Sequence, residues 1–384
     1  MSRSLARLPV RTYVRSHGRT HVRTRVRTRV RTAARITARA VSALVAGTLL
    51  VGAGPATAAP APAGPAADSG RWLAGQLEDN RIRNVQFDFV DWGLTIDTYW
   101  AMVAAGTRPA KAARVIDVVS DHALDYVSFE GDYFAGSVAK LLLARRVAGL
   151  PRTVEDPQIN LRAQLVSQIG PNGRVKDTGD TDFSSVLSQS LAILALARTG
   201  GRVPQDVVDY LVRQQCAPGW FRELLGPRCE TGPDEPYVDS TAFAAQALLA
   251  AKQSGAHVPA DALSSLDDWL VSAQRRNGSY GSSGGTTLVN SNSTGLAAQA
   301  LAAFRHFGSA SAAGDWVGSL QLTEERAGGG PAADDLGALA YDRPTLREAL
   351  GQGITDTTRD VWRRSTPQAQ FALRPVPFMA LSAE

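Results

Sequence analysis

The sequence predicts an all-α protein, a barrel of about six helical hairpins with one inner and one outer layer. Three observations carry this. The segments DFSSVLSQSLAILALARTG (182–200), DSTAFAAQALLAAKQSG (239–255) and NSNSTGLAAQALAAFRHFG (from Asn290) superimpose without gaps. Self-similarity of this kind marks repeat architecture. Apolar helices alternate with amphipathic ones, and a glutamine-to-glycine turn recurs after the amphipathic set.

Taken in order, residues 1–58 hold 12 Arg and no Asp or Glu, and end in the apolar run VSALVAGTLLVGAG (41–54) before Ala56-Thr57-Ala58. Such a run is too short to span a bilayer and, with a small-residue cleavage site, reads as a signal peptide with a long basic n-region. The Arg/Thr/Val repeat ahead of it reads as an n-region extended by an upstream start, against the alternative of a basic arm for nucleic acid. Residues 59–68 form a Pro/Ala-rich tether, and 69–384 the helical domain. Export implies a secreted, extracellular or cell-envelope protein, with no membrane span once the leader is removed.

The whole chain has a formal charge of +5, but residues 59–384 carry 29 basic against 36 acidic side chains, a net −7. Nucleic-acid binders need a cationic folded surface, so that class is excluded. Cys216 and Cys229, 13 positions apart around a Pro/Gly-rich loop, read as one disulfide in an oxidising compartment. Closing so short a loop contributes about 3 kcal/mol in a chain-entropy account. A zinc pair is the rival, but the spacing is wrong for it.

The inner helices begin, on this reading, at Asp97, Asp132, Asp182, Asp239 and Asn292, with a degraded copy near Asp334. They open at Asp, Ser or Thr N-caps and close at Gly106, Gly149, Gly200, Gly255 and Gly308. Being apolar nearly all round, they are buried on every side. The outer helices, such as 155–168, 203–215 and 258–276, carry the charge, with Pro157, Pro204 and Pro259 near their starts. In Gln274-Arg-Arg-Asn-Gly278-Ser-Tyr280, the Gln is expected to bond helix-end carbonyls, the Gly to take the left-handed turn and the aromatic to pack on the next repeat. Gln215 to Gly219-Trp220 and Gln168 to Gly173 are variants, and Gln321 opens another that ends at Gly328-Gly-Gly.

These helix pairs and turns resemble the repeats of the terpenoid cyclase and protein prenyltransferase superfamily, an α/α toroid, over roughly residues 69–375. Within it, Ser293-Thr-Gly-Leu-Ala-Ala-Gln299-Ala-Leu301 is similar to an inner helix of the cobalamin carriers intrinsic factor and transcobalamin, and Asp97-Thr98 is similar in the same way.

The catalytic patterns of that superfamily are incomplete here. An Asp-x-Asp-Asp acid needs flanking carboxylates that keep one proton on; Asp180 and Asp182 supply Asp-x-Asp, but Phe183 stands where the next acid belongs. They are the fallback catalytic pair, against the reading of an acidic loop leading to a cap. Asp267-Asp268 and Asp334-Asp335 lack the third acid of a magnesium motif. His122, His257 and His306 lie outside any zinc pattern, the latter two near helix C-termini. Aromatics are 7%, with Trp269, Trp316 and Trp362 in outer-helix patterns, which leaves few sugar platforms or π faces.

What remains is a ring at one mouth of the barrel: Asp97, Asp132, Asp182, Asp239 and Asn292, with Gln189, Gln246 and Gln299 two turns on. Singly they serve as N-caps and inter-helix bonds; together they line a polar, amide-rich cavity. The expected function is non-covalent binding of a small polar ligand, with a corrinoid such as cobalamin the sharpest candidate, and a membrane importer or lid protein as partner. The alternatives are a cyclase-, prenyltransferase- or glycan-type toroid enzyme and a cell-envelope interaction scaffold. No catalytic or metal residue is assigned, and no resident cofactor.

Overall fold

Burial of the Ala/Leu-rich helices dictates a ring. In a computed structural model, which describes residues 63–156, 158–229, 235–281 and 288–383, the chain forms α1 (Pro65–Gly75), a hairpin β1–β2 (Arg83–Asn84, Phe89–Val90), α2 (Trp92–Ala105), α3 (Pro109–Asp121), α4 (Ala123–Val127) and a hairpin β3–β4 (Ser128–Phe129, Asp132–Tyr133). There follow α5 (Ala135–Val147), a hairpin β5–β6 (Thr153–Val154, Ile159–Asn160), α6 (Leu161–Ser167), α7 (Val186–Arg198), α8 (Gln205–Val212), α9 (Val238–Gln253), α10 (Ala260–Ala273) and α11 (Ser291–Ala303). The chain ends with α12 (Phe307–Gly318), α13 (Glu324–Ala327), a 3-10 turn (Ala333–Asp335), α14 (Arg343–Gln352) and α15 (Asp356–Leu373). The leader with its cleavage site, and Pro157, lie outside the described residues.

Each inner helix packs on the next in the order α2, α5, α7, α9, α11, α15, and α15 returns to α2. Outside them, α3, α8, α10 and α12 each bridge two inner neighbours and α6 rests on α5, while α1 fills the seam between α15 and α2. This is the six-hairpin α/α toroid. Small side chains let the inner helices approach closely. A Cβ on Gly295 of α11 would stand 2.1 Å from the Gln368 carbonyl of α15.

Several boundaries differ from the sequence reading. Helix α1 begins at Pro65, inside the stretch read as tether. The N-caps are Asp91, Ser185 and Asn290, whose side chains accept the third backbone N–H of α2, α7 and α11; Asp97, Asp239 and Asn292 lie inside the helices. Gly308 lies within α12, and Arg305 takes the left-handed turn instead. The sixth inner helix is α15, not the segment at Asp334. Asp335 is buried, accepting from Trp72 Nε1 (2.9 Å) and Arg359 (2.7 Å), and so ties α1 to α15. Trp362 is therefore an inner-helix residue, while Trp269 and Trp316 are on outer helices.

The turn repeat has a sharper logic than the sequence suggested. Gln274 Nε2 donates to Gly278 O (3.0 Å) and to Ser309 O (2.8 Å) in the first turn of α12. Gln215 does the same with Gly219 and Ala262, and Gln321 with Gly337 and Pro65. Thus Gly337, not Gly328, is the turn glycine of the last copy. The residue two beyond the glycine donates its N–H to a threonine of the next inner helix: Phe221 to Thr241, Tyr280 to Thr294 and Leu339 to Thr366. Phe221, rather than Trp220, is the counterpart of Tyr280.

Gly278 has φ 87° and a Cβ there would meet the Ala312 carbonyl at 2.1 Å. Gly278→Ala is expected to cost about 2 kcal/mol or more, from the strained φ plus displacement of α12. The denaturant midpoint measures it, with Gly351→Ala in α14, where nothing stands within 4 Å of a Cβ, as the unstrained reference, expected to stabilise by up to about 1 kcal/mol.

Candidate functional site

All six inner helices run in the same direction, so the barrel has an N-terminal and a C-terminal end. The C-terminal end is closed by the chain itself. After α15 the tail turns back across the ring: Gln299 Nε2 donates to Val376 O (2.7 Å), and Phe378 N donates to Gln246 Oε1 (2.9 Å). Arg198 donates to the carbonyls of Phe378 and Leu381, and Ala383 N reaches Val147 O (3.0 Å). Phe378, only 1% exposed, stands against Trp100, Phe243 and Phe371 with ring centroids 4.9, 5.5 and 5.8 Å away. Four aromatic rings thus meet on the barrel axis.

Phe243 and Trp100 identify the lumen-facing positions of their helices, and helical spacing extends that face toward the N-terminal mouth. One turn above Phe243 is Asp239; one turn above Trp100 is Asp97; above Leu296 is Asn292; above Phe371 is Gln368. The mouth is thus a polar ring over an aromatic floor. Asp97 Oδ1 pairs with Lys140 Nζ at 2.7 Å, and Lys140 lies 5.5 Å over the Trp100 ring. Burial alone pushes the Lys140 pKa down, but Asp97, with Tyr126 and Asp91 behind it, outweighs burial and holds it above its ordinary value. Burial pushes the Tyr126 hydroxyl up. Asn292 Nδ2 donates to Gln368 Oε1 (2.8 Å), linking α11 to α15, while Asn292 Oδ1 is buried without a partner.

Asp239 is the unusual member. Its residue surface is partly accessible, yet its Oδ1 is buried and unpaired, and protein surrounds the group. Burial raises its pKa, and Glu223 adds to this, against a hydrogen bond with Ser293 that lowers it. With the folded pKa raised, the native state binds more protons than the unfolded chain above about pH 4, the ordinary Asp value, so stability falls as pH rises through that window. Asp239→Asn is therefore expected to gain stability relative to the native chain as pH increases from about 4, levelling off above the folded pKa. Urea midpoints across pH 4–8 check this, and a pH-independent difference would contradict it.

Other sequence-predicted residues lie elsewhere. Asp132 is in β4, exposed on the rim beside Thr178. Asp182 precedes the cap of α7 and accepts from Arg174 (2.6 Å) and from the backbone of Asp177 and Ser184. Burial would raise its pKa, but the Ser184 and Asp177 hydrogen bonds and Arg174 overcome this and lower it. A depressed pKa is the reverse of what a protonating acid needs, and Asp180 is exposed. Gln189 is fully buried, with Nε2 on Gly173 O and Val207 O and Oε1 on Val175 N, completing a turn. Gln246 and Gln299 bond each other (3.0 Å) and hold the tail. The three glutamines therefore brace the fold and do not line the mouth. The sequence reading missed Lys140, Tyr126 and Gln368; a lone lysine within the otherwise apolar AGSVAKLLLA was the available signal for the first.

Around the mouth, the loops feeding α2, α5, α7, α9 and α11 raise bulky apolar tips. Phe87, Phe129, Phe183, Leu224 and Leu288 leave 65–71% of their surface exposed. Elsewhere, His306, whose N–H bonds Leu301 O at the C-terminal end of α11 and which also precedes α12, pairs through Nε2 with Asp267 Oδ1 at 2.6 Å, and His122 stacks on Trp92. Among the described residues no group of three or more His, Cys, Asp and Glu is placed to hold a metal ion, and no helix is long and apolar enough to cross a membrane. The Cys216–Cys229 disulfide is formed.

Fold and site together define an α/α toroid with one end closed by its own tail and one polar mouth. No protein-family profile and no curated protein matches the sequence. Solved structures do. A protein from Actinoplanes superimposes with a TM-score of 0.52 at 17% identity, covering 81% of this chain and 98% of its own. An unsaturated glucuronyl hydrolase from Bacillus sp. GL1, responsible for glycosaminoglycan degradation, gives 0.51 at 11% identity, covering 80% and 95%. Haptocorrin in complex with Cbi is a looser likeness, 0.44 at 16% identity, covering 83% and 68%. At these identities the likeness is one of fold, and it is the toroid that the repeat resemblance implied.

Proposed function

We propose that this chain is an exported toroid protein that binds a small polar ligand non-covalently in its N-terminal mouth. The observation that carries the reading is the ring of Asp97, Lys140, Asp239, Asn292 and Gln368 over the aromatic floor, with the opposite end closed by the tail. Natural ligand sites pair an apolar lining with a few placed polar groups, and the apolar rim adds contact area above the ring. Both charge signs and two carboxamides suit a ligand rich in hydroxyl, amide or amino groups. A corrinoid remains within that description, resting on Asn292 and Gln368 now that Gln189, Gln246 and Gln299 are committed to the fold. The disulfide and the basic leader support export.

A second reading is favoured by one observation: Asp239, raised by burial, sits one turn above Phe243. A carboxyl that keeps its proton can act as a general acid, which supports a toroid enzyme on an isoprenoid or glycan.

The test is native mass spectrometry of the exported protein purified from its own culture medium. A bound small molecule is expected, lost in Asn292→Leu and Asp97→Asn. A protein devoid of adduct, with cyanocobalamin and a panel of amino sugars leaving its melting temperature unchanged at millimolar concentration, overturns the binding reading. Consumption of a polyprenyl diphosphate or glycan abolished by Asp239→Asn would establish the second reading in its place.

A further inference from the structure

Arginines converge at the closed end of the ring, between the C-termini of α5 and α7, and two of them keep terminal nitrogens that meet no described partner. Arg145 is spent on the carbonyls of Pro151 and Thr153 and on Ser120. Arg146 and Arg198 each donate to the other's carbonyl, Arg146 Nη1 also donates to Leu150 O (2.5 Å), and Arg198 also holds the tail. Arg162 is different. Its Nε donates to Thr199 Oγ1 (3.1 Å), which fixes the plane of the guanidinium, while its two terminal nitrogens meet no described partner. Arg152, exposed on the loop before β5, makes no described side-chain bond.

Arg146, Arg152 and Arg162 line a pocket of about 560 Å³ together with Thr153, Asn160 and Thr199. No Asp or Glu is among the lining residues, and none of the three arginines forms an ion pair with a described carboxylate. In a domain with net −7 such a concentration of unneutralised positive charge is against the overall composition.

We propose that this pocket binds a phosphate or sulfate monoester. Guanidinium forks give paired charge-assisted hydrogen bonds to oxyanions. The forks of Arg152 and Arg162, with the remaining Nη2 of Arg146, the Thr153 hydroxyl and the Asn160 amide nitrogen, line the pocket as donors. That is more donors than a carboxylate's two oxygens use, and it suits a tetrahedral group with three terminal oxygens. The volume lies within the range of small-ligand pockets, roughly 300–1,000 Å³, and a bare oxyanion occupies a small fraction of it. The remainder accommodates a sugar-sized alcohol portion against Pro151 and Ala163. The site is at the far end of the barrel from the polar mouth and does not depend on what the mouth binds.

Calorimetry with glucose 6-phosphate, glucose 6-sulfate, inorganic phosphate, acetate and glucose tests it. Both esters are expected to bind at least tenfold more tightly than acetate or glucose, and more tightly than inorganic phosphate, with affinity falling as salt rises. Arg162→Gln should weaken the esters at least tenfold, and Arg152→Gln several-fold, each without lowering the melting temperature of the unliganded protein by more than a few degrees. Arg275→Gln, on a distant turn, serves as control. Esters that bind no better than glucose or inorganic phosphate, or that bind Arg162→Gln as well as the native chain, overturn the proposal. Should Arg162→Gln fail to fold, Arg152→Gln with unchanged ester affinity overturns it equally.

Discussion

Phe378→Ala is expected to destabilise the protein by about 3–5 kcal/mol, the range for deleting a fully buried phenylalanine side chain. Phe378 is the only tail residue at the centre of the aromatic cluster with Trp100, Phe243 and Phe371, and its main chain is bonded on both sides, by Gln246 and by Arg198. Truncation leaves a cavity on the barrel axis that rigid helices cannot collapse to fill, so the cost includes a cavity term as well as lost burial. Denaturant midpoints measure the loss. Tryptophan emission gives a second readout, because Trp100 would gain contact with water and shift to the red. A cost below 1 kcal/mol would mean that the tail lies over the ring without closing it.

Lys140→Met is expected to cost about 3 kcal/mol, because it leaves the Asp97 carboxylate inside the mouth without its cation. The double variant Asp97→Leu with Lys140→Met should recover most of this, since replacing both partners by apolar groups removes the charges that burial penalises. A coupling energy of at least 1 kcal/mol in the double-mutant cycle is the decisive quantity. The pH dependence has a definite sign. The Lys140 pKa is raised in the folded state, so its contribution is fully present below the unfolded value, about 10.4, and is lost as pH rises through the folded value. The single-variant cost should therefore be flat from neutral pH to about 10. The same variant tests the mouth, because a ligand held by the lysine loses affinity beyond what the stability change explains.

Much of the architecture was legible in the chain. The interval of about 50 residues between Ala-rich segments at Asp182, Asp239 and Asn292 required paired helices, and helices apolar on all sides required a layer outside them. The seven-residue step from Asp239 to Gln246 and from Asn292 to Gln299 placed both residues on one face, and that face is the lumen. Helix α15 escaped notice for a physical reason. Its sequence DTTRDVWRRSTPQAQFAL carries charge and an internal Pro367, and it is buried only because partners come from far along the chain. Arg363 bonds Gln76 and the Arg83 carbonyl, and Arg359 bonds Asp335. Periodicity reports what a helix avoids exposing; it does not report which distant group will satisfy a buried guanidinium.

The candidate site divides in the same way. Asp239 and Asn292 were found from the repeat because both are second in their helices, and identical positions in repeated helices converge on one end of a ring; Asp97, sixth in α2, lies one turn further in. Their different fates were set by tertiary structure: a lysine for Asp97, a nearly unpaired burial for Asp239, a carboxamide for Asn292. Gln246 and Gln299 look alike in sequence to lumen ligands, yet the returning tail takes their hydrogen bonds. The sequence by itself determined that the chain is a closed ring of helical hairpins with polar groups on its inner face, because backbone periodicity and apolar burial are local properties that add up along the chain. Only the tertiary structure decided which end is shut, which polar groups stay unpaired and where arginines gather without acids, because hydrogen bonds and charges are settled by neighbours that the linear order does not bring together.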